Sequence, residues 1–227
     1  MTIVFPPYAM VTFILTTLLS LFFFYKAAND SKITLLILSG WLIVQGSIAS
    51  TGFYIETYTL PPRFLLLIGP PLLFIGILFS TARGRKYIDG LNLKTLTLLH
   101  VVRIPVEIVL LWLYMAGKVP QLMTFEGRNF DILSGITAPL IWYFGFVTKK
   151  ISPSLILLWN VICLGLLLNI VVNAVLSAPF AFQQFAFDQP NVAVLFFPFI
   201  WLPCVIVPLV LFSHLVAIRK LRTGTIE

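Results

Sequence analysis

Three ionisable side chains lie in the middle of one strongly apolar stretch of the sequence. The stretch runs from Thr95 to Ala116 and contains His100, Arg103 and Glu107. Their spacing of three and four residues places them on one face of a helix. An ionisable group near the middle of a bilayer costs about 2.5–3.5 kcal/mol or more, so this face is expected to point toward other helices or water. The stretch is therefore the first candidate for a functional site.

The pair formed by Arg103 and Glu107 has two interpretations. Residues four positions apart on a helix can pair directly, which makes a structural ion pair while His100 bonds to a neighbouring helix. Alternatively the face is a binding site or proton relay, because ionisable groups inside a membrane usually mark ion or substrate pathways. In that case we expect Arg103 to anchor an anionic group and Glu107 to be its partner or a proton carrier. A neutral His100 would be ready to exchange protons near physiological pH.

A second group of ionisable residues lies in the segment TFEGRNFDILSG. Asn or Asp at the start of a helix usually caps free backbone N–H groups, and capping would explain Asp131 alone. Glu126, Arg128 and Asp131 together exceed what a cap needs. The alternative to capping is that they form the outer mouth of a polar cavity whose floor is the face with Arg103 and Glu107, and the sequence leaves both interpretations open.

Three amides within other apolar stretches complete the candidate site. Asn169 and Asn173 are four residues apart and share a helix face, and Gln45 lies in the second apolar stretch. Amides in membrane helices usually bond helices together, at roughly 0.6 kcal/mol per bond. The sequence leaves open whether these three amides bond helices or line the cavity.

The composition places the chain among integral membrane proteins. Hydrophobic residues make up 59% and charged residues 10% of the 227 positions, whereas about a quarter of a soluble domain is charged. The net charge of +7 is compatible with nucleic-acid binding, but the basic residues lie at the ends of apolar stretches, where they set membrane orientation. Nucleic acid is therefore excluded as a partner, and a single transmembrane domain in the cell (inner) membrane is predicted.

Seven stretches approach the length of about 20 apolar residues that a helix needs to cross a bilayer. The sequence therefore predicts an all-α integral membrane protein with seven transmembrane helices, forming one domain over 1-227. The predicted spans are residues 8-25, 33-54, 64-81, 95-116, 129-148, 154-176 and 192-218.

The fourth span has one alternative. Pro105 suits the first position of a helix, and a span starting there would leave His100 and Arg103 at the inner interface. We favour the longer, kinked helix because membrane helices tolerate proline.

Lysine and arginine are distributed unevenly between the two sides that seven alternating spans define. One side carries three of them, namely Arg63, Lys118 and Arg128. The other side carries Lys26, Lys32, Arg83, Arg85, Lys86, Lys94, Lys149, Lys150, Arg219, Lys220 and Arg222. Cytoplasmic loops are the richer in Lys and Arg, so the N-terminus is predicted outside and the C-terminus inside.

Several activities lack their motifs. The sequence contains no H-E-x-x-H, G-x-S-x-G or P-loop pattern. Its two histidines, His100 and His214, are too few for the usual catalytic zinc site. No metal is therefore predicted, and the sequence names no cofactor.

The leading hypothesis is a membrane protein that binds or transports a small polar solute or ion through an outward-opening polar cavity. The first alternative is a membrane-embedded enzyme acting on a lipid or isoprenoid headgroup, with His100 or Asp131 as general acid–base. The second is a seven-helix sensor or receptor that signals through a partner at its basic inner face. The expected partners are the lipid bilayer and a small solute, ion or lipid, and a homo-oligomer or a cytoplasmic partner stays open.

Overall fold

The structure, a computed structural model, describes residues 4–59 and 61–224, and within these residues it is helical without any β-strand. The α-helices are α1 (Pro7–Ala27), α2 (Lys32–Ser50), α3 (Leu65–Ser80), α4 (Ala82–Asp89), α5 (Leu93–Leu99), α6 (Arg103–Met115), α7 (Ile132–Ile141), α8 (Pro153–Leu176) and α9 (Val207–Thr223). Two π-helical segments, Trp142–Val147 and Leu202–Ile206, continue α7 and precede α9.

Five helices in the described chain are long and apolar enough to cross a membrane. They are Pro7–Ala27, Lys32–Ser50, Leu93–Met115, Pro153–Leu176 and Leu202–Thr223. A sixth crossing is added if α3 and α4, which meet at an angle of 93°, are counted as one broken span. The helical class and the membrane character predicted from composition therefore agree with the structure.

The fourth predicted span is one continuous helix, which we call the α5–α6 helix. A 3-10 turn at His100–Val102 joins its two parts. Pro105 lacks the N–H group that would bond the Val101 carbonyl, so regular α-helical bonding is interrupted at this point. The longer version of the span is the one observed, and Arg103 lies near its middle.

The fifth predicted span, residues 129-148, is shorter in the structure. The apolar helix covers Ile132–Val147, below the usual length for a crossing. Near its start, Gly135 packs so closely on the α5–α6 helix that an added Cβ would lie 2.8 Å from Ile104 Cγ1. Further along, Lys94 Nζ lies 5.1 Å from the centre of the Trp142 ring. Ile132–Val147 therefore packs along only one half of the α5–α6 helix, between its middle and its N-terminal end.

The other half of the bundle contains two segments without regular helix, residues 117–131 and 189–201, apart from short 3-10 turns. They pack on each other, since the Ala193 N–H donates to the Lys118 carbonyl at 3.1 Å and Gln189 Nε2 to the Val119 carbonyl at 2.6 Å. Irregular backbone is tolerated at membrane depth only where protein surrounds it. The helix predicted at 192-218 consequently starts ten residues later, and the observed helix is Leu202–Thr223.

One end of the bundle, which we call the basic end, is held together by polar contacts between distant segments. Asn29 Nδ2 donates to the Gly90 carbonyl at 2.8 Å, and Arg219 donates two 3.0 Å hydrogen bonds to the Asp89 carboxylate. The hydrogen bonds from Arg219 lower the pKa of Asp89 below its ordinary value. These contacts join the turn after α1, the end of α4 and the last turns of α9. The opposite end is called the far end.

Proline frees backbone carbonyls inside two helices, and side chains from α2 bond them. Pro208 cannot donate to the Cys204 carbonyl, which instead accepts from Trp41 Nε1 at 2.9 Å. Pro70 cannot donate to the Leu66 carbonyl, which accepts from Gln45 Nε2 at 3.5 Å. These bonds fix α2 against α3 and the start of α9.

Candidate functional site

A buried ion pair between Arg103 and Asp131 is the centre of the polar cluster. Arg103 Nε donates to Asp131 Oδ2 at 2.6 Å, and Nη2 donates to Oδ1, so both carboxylate oxygens are bonded. Nη2 also donates to the Cys163 carbonyl at 3.3 Å. Asp131 immediately precedes α7, where the helix dipole favours a negative charge. The pair therefore joins the α5–α6 helix, α7 and α8.

Two histidines extend this cluster toward α8 and α9. Arg103 Nη1 lies 3.0 Å from His214 Nε2, and His214 Nδ1 lies 2.9 Å from Asn160 Oδ1. Arginine can only donate, so His214 Nε2 accepts and its proton lies on Nδ1, which donates to Asn160. His100 stacks on His214 with ring centres 4.0 Å apart. Its Nδ1 is buried and has no hydrogen-bond partner within residues 4–59 and 61–224.

Glu107 has a different environment from Asp131. Asn129 Nδ2 lies 2.6 and 2.7 Å from its two carboxylate oxygens and also donates to the Met123 carbonyl at 2.9 Å. The side chain of Asn129 is itself positioned by the Asp131 N–H, which donates to Asn129 Oδ1 at 3.0 Å. Within the described chain, no basic side chain forms an ion pair with Glu107. Glu107 is therefore a buried carboxylate that only an amide compensates.

A cavity of about 230 Å³, which we call the central cavity, lies beside this cluster. Arg103, Glu107 and Asp131 border it, together with Asn191, whose Oδ1 is buried and has no hydrogen-bond partner among the described residues. Its remaining walls are apolar and come from α3, α6, α8, the start of α9 and the irregular segments: Phe64, Ile68, Leu72, Val106, Leu110, Met123, Leu167, Leu168, Ile170, Val171, Ala174, Val175, Val194, Leu202, Pro203, Ile206, Val207, Pro208, Val210 and Leu211.

The cluster lies at the same depth in three long helices. Arg103, Cys163 and His214 are each near the middle of their helix, and α7 begins beside them. Binding sites in transporters are often built where a broken helix starts near the middle of the membrane. α7 is such a short helix, and it starts beside the middle of the α5–α6 helix.

The central cavity reaches the apolar outer surface of the bundle on one side. Leu72 on α3 and Leu168 on α8 line it, and each is about half exposed, at 46% and 49%. The opening therefore lies between α3 and α8, on a surface that lipid would cover.

The structure separates the residues that the sequence grouped together. Arg103 does not pair with Glu107, as the sequence suggested, because Asp131 accepts from its Nε and Nη2 and His214 accepts from its Nη1. The remaining members of the expected mouth, Glu126 and Arg128, are exposed at the far end. Asp131 is 5% exposed and belongs to the cluster instead.

The three candidate amides bond helices and loops and do not line the central cavity. Asn169 Nδ2 donates to the Arg128 carbonyl at 2.9 Å, and Asn173 Nδ2 donates to the Asn169 carbonyl at 2.9 Å. Gln45, besides bonding Leu66, accepts from the Tyr54 hydroxyl at 2.5 Å. Asn169 and Gln45 therefore join separate segments of the bundle, as the helix-bonding interpretation expects, whereas the bond of Asn173 lies within α8.

Asn129, Asn160, Asn191 and His214 are the polar residues of the site that the sequence left unassigned. The sequence did contain a reason to consider His214 as a site residue, because it is one of only two histidines and lies in an apolar stretch. Asn191 and Asn129 lie in loop-like segments, and their burial follows from the folding of those segments into the bundle. Within the described ranges, no group of three or more His, Cys, Asp or Glu side chains is arranged to hold a metal ion.

Comparison with known proteins identifies a matching family model. Residues 61–222 match a family model described as "Domain of unknown function (DUF8737)", and this range contains the whole polar cluster and the central cavity. No protein of curated function matches the chain, and no solved structure matches it.

Proposed function

The chain belongs to the DUF8737 family, and from the geometry of its buried site we propose that it binds or transports a small solute carrying a cationic or hydrogen-bond-donating group. The binding site is the central cavity, and Glu107 is the group that receives the solute. The Arg103–Asp131 pair and His214 hold the site in shape. This refines the polar-solute hypothesis by assigning the sign of the charge.

One observation carries the proposal: the two polar groups of the cavity wall that lack full compensation are both acceptors. Glu107 has no ion pair, and Asn191 Oδ1 has no donor, within the described chain. Arg103, in contrast, already donates to Asp131, His214 and a backbone carbonyl. An unpaired carboxylate in an apolar environment favours a cation or a proton over an anion.

The size and walls of the cavity restrict the solute further. Pockets for drug-sized ligands have about 300–1,000 Å³, and this cavity of about 230 Å³ is smaller. Because its walls are apolar apart from the ionisable edge, the solute has one polar group and a short apolar body.

The proposed membrane arrangement is a single seven-span domain with the N-terminus outside and the C-terminus inside, in the cell membrane. The fifth crossing consists of residues 117–131 and the helix Ile132–Val147 together. Support comes from the basic end, which collects most of the Lys and Arg residues. Single cysteines at Arg128 and at Lys150 test it: a membrane-impermeant maleimide added to intact cells should label Arg128→Cys and spare Lys150→Cys. The reverse pattern would overturn the orientation.

The charge preference can be tested with two matched series of compounds. We expect short n-alkylammonium ions to raise the melting temperature of the purified protein, and n-alkylcarboxylates of equal length to leave it unchanged. Glu107→Gln should weaken alkylammonium binding more than tenfold while keeping the melting temperature of the free protein. Glu126→Gln, the same change at an exposed position, is the control and should bind like wild type. Stabilisation by the carboxylates instead would show that Arg103 receives an anion.

A second candidate, an enzyme acting on a lipid headgroup, is favoured by the opening of the cavity between Leu72 and Leu168. A lipid could bring its headgroup from the bilayer to Glu107 by this route. Its test is the turnover of membrane lipids by purified protein in detergent, followed by mass spectrometry of the products. Turnover that is lost in Glu107→Gln and unchanged in Glu126→Gln would support the enzyme, and unchanged lipids would exclude it for the lipids tested.

A further inference from the structure

A second, larger cavity lies between α2, α3 and α9, and we call it the α2–α3 groove. Its volume is about 730 Å³. Its walls are almost entirely apolar and include Leu36, Gly40, Val44, Pro71, Phe74 and Phe212. It shares no ionisable residue with the central cavity.

Polar contacts tie α2 to the neighbouring helices at both ends of the groove. Toward the far end, Gln45 bonds the Leu66 carbonyl of α3. At the basic end, the Thr34 hydroxyl lies 3.1 Å from the Tyr87 hydroxyl of α4, and Thr34 also bonds Ser31. The groove is thus apolar along most of its length and carries hydroxyl groups at one end. An acyl chain with a polar headgroup has the same distribution of polarity.

Basic residues surround the hydroxyl-bearing end. Lys32 begins α2, and Arg83 and Lys86 lie on α4, one turn apart and next to Tyr87. All three are exposed, and within residues 4–59 and 61–224 none forms an ion pair. In contrast, Lys26 pairs with Asp30 and Arg219 pairs with Asp89. Lys32, Arg83 and Lys86 are therefore positive charges without an ion-pair partner in the described chain, close in sequence to residues that line the groove.

The direction of α4 places these charges at headgroup level. α4 turns away from α3 by 93°, so it lies along the membrane surface when α3 crosses the bilayer. Basic residues in this position attract anionic lipids to the membrane surface beside them.

We propose that the α2–α3 groove is a binding site for an anionic phospholipid. One acyl chain occupies the apolar slot along Leu36, Gly40 and Phe74, and the phosphate group lies among Lys32, Arg83 and Lys86. The inference does not depend on the solute proposed for the central cavity.

Gly40 allows the slot to be filled without disturbing the fold. A Cβ added there meets no atom within 4 Å, so the side chain of Gly40→Leu projects into the empty groove. Gly76 on α3 is the matched control, because its Cβ also meets nothing within 4 Å and it does not line the groove.

The experiment uses the full-length protein in mixed micelles that contain equal amounts of phosphatidylglycerol and phosphatidylcholine with identical acyl chains. Native mass spectrometry then counts the lipids that stay bound. We expect one phosphatidylglycerol to be retained at least tenfold over phosphatidylcholine. Gly40→Leu should lose it, and Gly76→Leu should keep it.

A second set of variants tests the charges. Changing Lys32, Arg83 and Lys86 together to Gln should abolish the preference for phosphatidylglycerol, while Lys149→Gln with Lys150→Gln should not. Equal retention of both lipids by wild type, or the same loss in the Gly76 and Lys149 controls, would overturn the proposal. Unchanged retention in Gly40→Leu would also overturn it, because the acyl chain would then lie elsewhere.

Discussion

Arg103 and Asp131 form a two-pronged ion pair that joins the middle of the α5–α6 helix to the start of α7, with Nε and Oδ2 2.6 Å apart. Both side chains are nearly inaccessible, at 2% and 5% exposure. The pair explains why a charged residue is tolerated in the centre of a long apolar helix. Because Asp131 is the counter-charge of Arg103, Glu107 borders the central cavity without an ion pair in the described chain.

Removing one partner of this pair should destabilise the protein strongly. Asp131→Asn leaves the Arg103 charge buried without compensation, and such changes cost about 3–5 kcal/mol. Unfolding in detergent, titrated with a denaturing detergent and followed by circular dichroism, measures the loss. The double variant Arg103→Met with Asp131→Leu should regain at least half of it, and additive losses would contradict a direct pair.

The close contact of α7 with the α5–α6 helix predicts the effect of a single methyl group. In Gly135→Ala the new Cβ would lie 2.8 Å from Ile104 Cγ1 and 3.1 Å from the Ile104 backbone nitrogen. The helices must separate slightly, at a cost of about 1–3 kcal/mol. The same denaturation assay measures it. Gly165→Ala is the control, since its Cβ meets no atom within 4 Å, and it should be as stable as wild type.

Gln45 should contribute to stability without contributing to binding. Gln45→Leu leaves the Tyr54 hydroxyl and the Leu66 carbonyl without their partners, and we expect a loss of about 1–3 kcal/mol. Alkylammonium binding, measured at a temperature where the variant is folded, should match wild type. A loss of binding at unchanged stability would return Gln45 to the functional site.

The ion pair at the basic end predicts a dependence on pH. Arg219 lowers the pKa of Asp89 in the folded protein, so the stabilisation is complete above the unfolded-state pKa, near 3.9, and disappears as the pH falls through the lower folded-state value. The difference in melting temperature between wild type and Asp89→Asn should therefore be constant from about pH 7 to 5 and shrink toward zero in stronger acid. A difference that persists there would show that Asp89 acts through something other than its charge.

The lengths of the apolar stretches predicted the long helices well, because the thickness of the hydrocarbon core sets the length of a helix that crosses it. The α5–α6 helix and α8 lie within three residues of their predicted bounds at each end. The same measure placed the start of the last span too early, because residues 192-218 were predicted and the observed helix is Leu202–Thr223. Residues 192–201 are mostly apolar and buried but do not form a regular helix, and hydropathy does not distinguish a buried loop from a helix.

Helical spacing correctly placed His100, Arg103 and Glu107 inside the bundle, yet it assigned the wrong partner to Arg103. Spacing within one helix suggests only local pairs, whereas the observed partner comes from 28 residues away. The position of Asp131 depends on α7 starting halfway along the α5–α6 helix, which no local pattern encodes. The same reason explains why Asn129 was not predicted to contact Glu107 and why Asn191 was not among the candidates.

Residues 117–131 also bear on how the nascent chain is assembled. Their backbone carbonyls are bonded by residues synthesised later: Lys118 by the Ala193 N–H, Val119 by Gln189, and Arg128 by Asn169. Unbonded carbonyls are costly to expose to lipid, and these three acquire their partners only after α8 and the loop that follows it have been synthesised. The irregular wall of the central cavity therefore depends on contacts that close late along the chain.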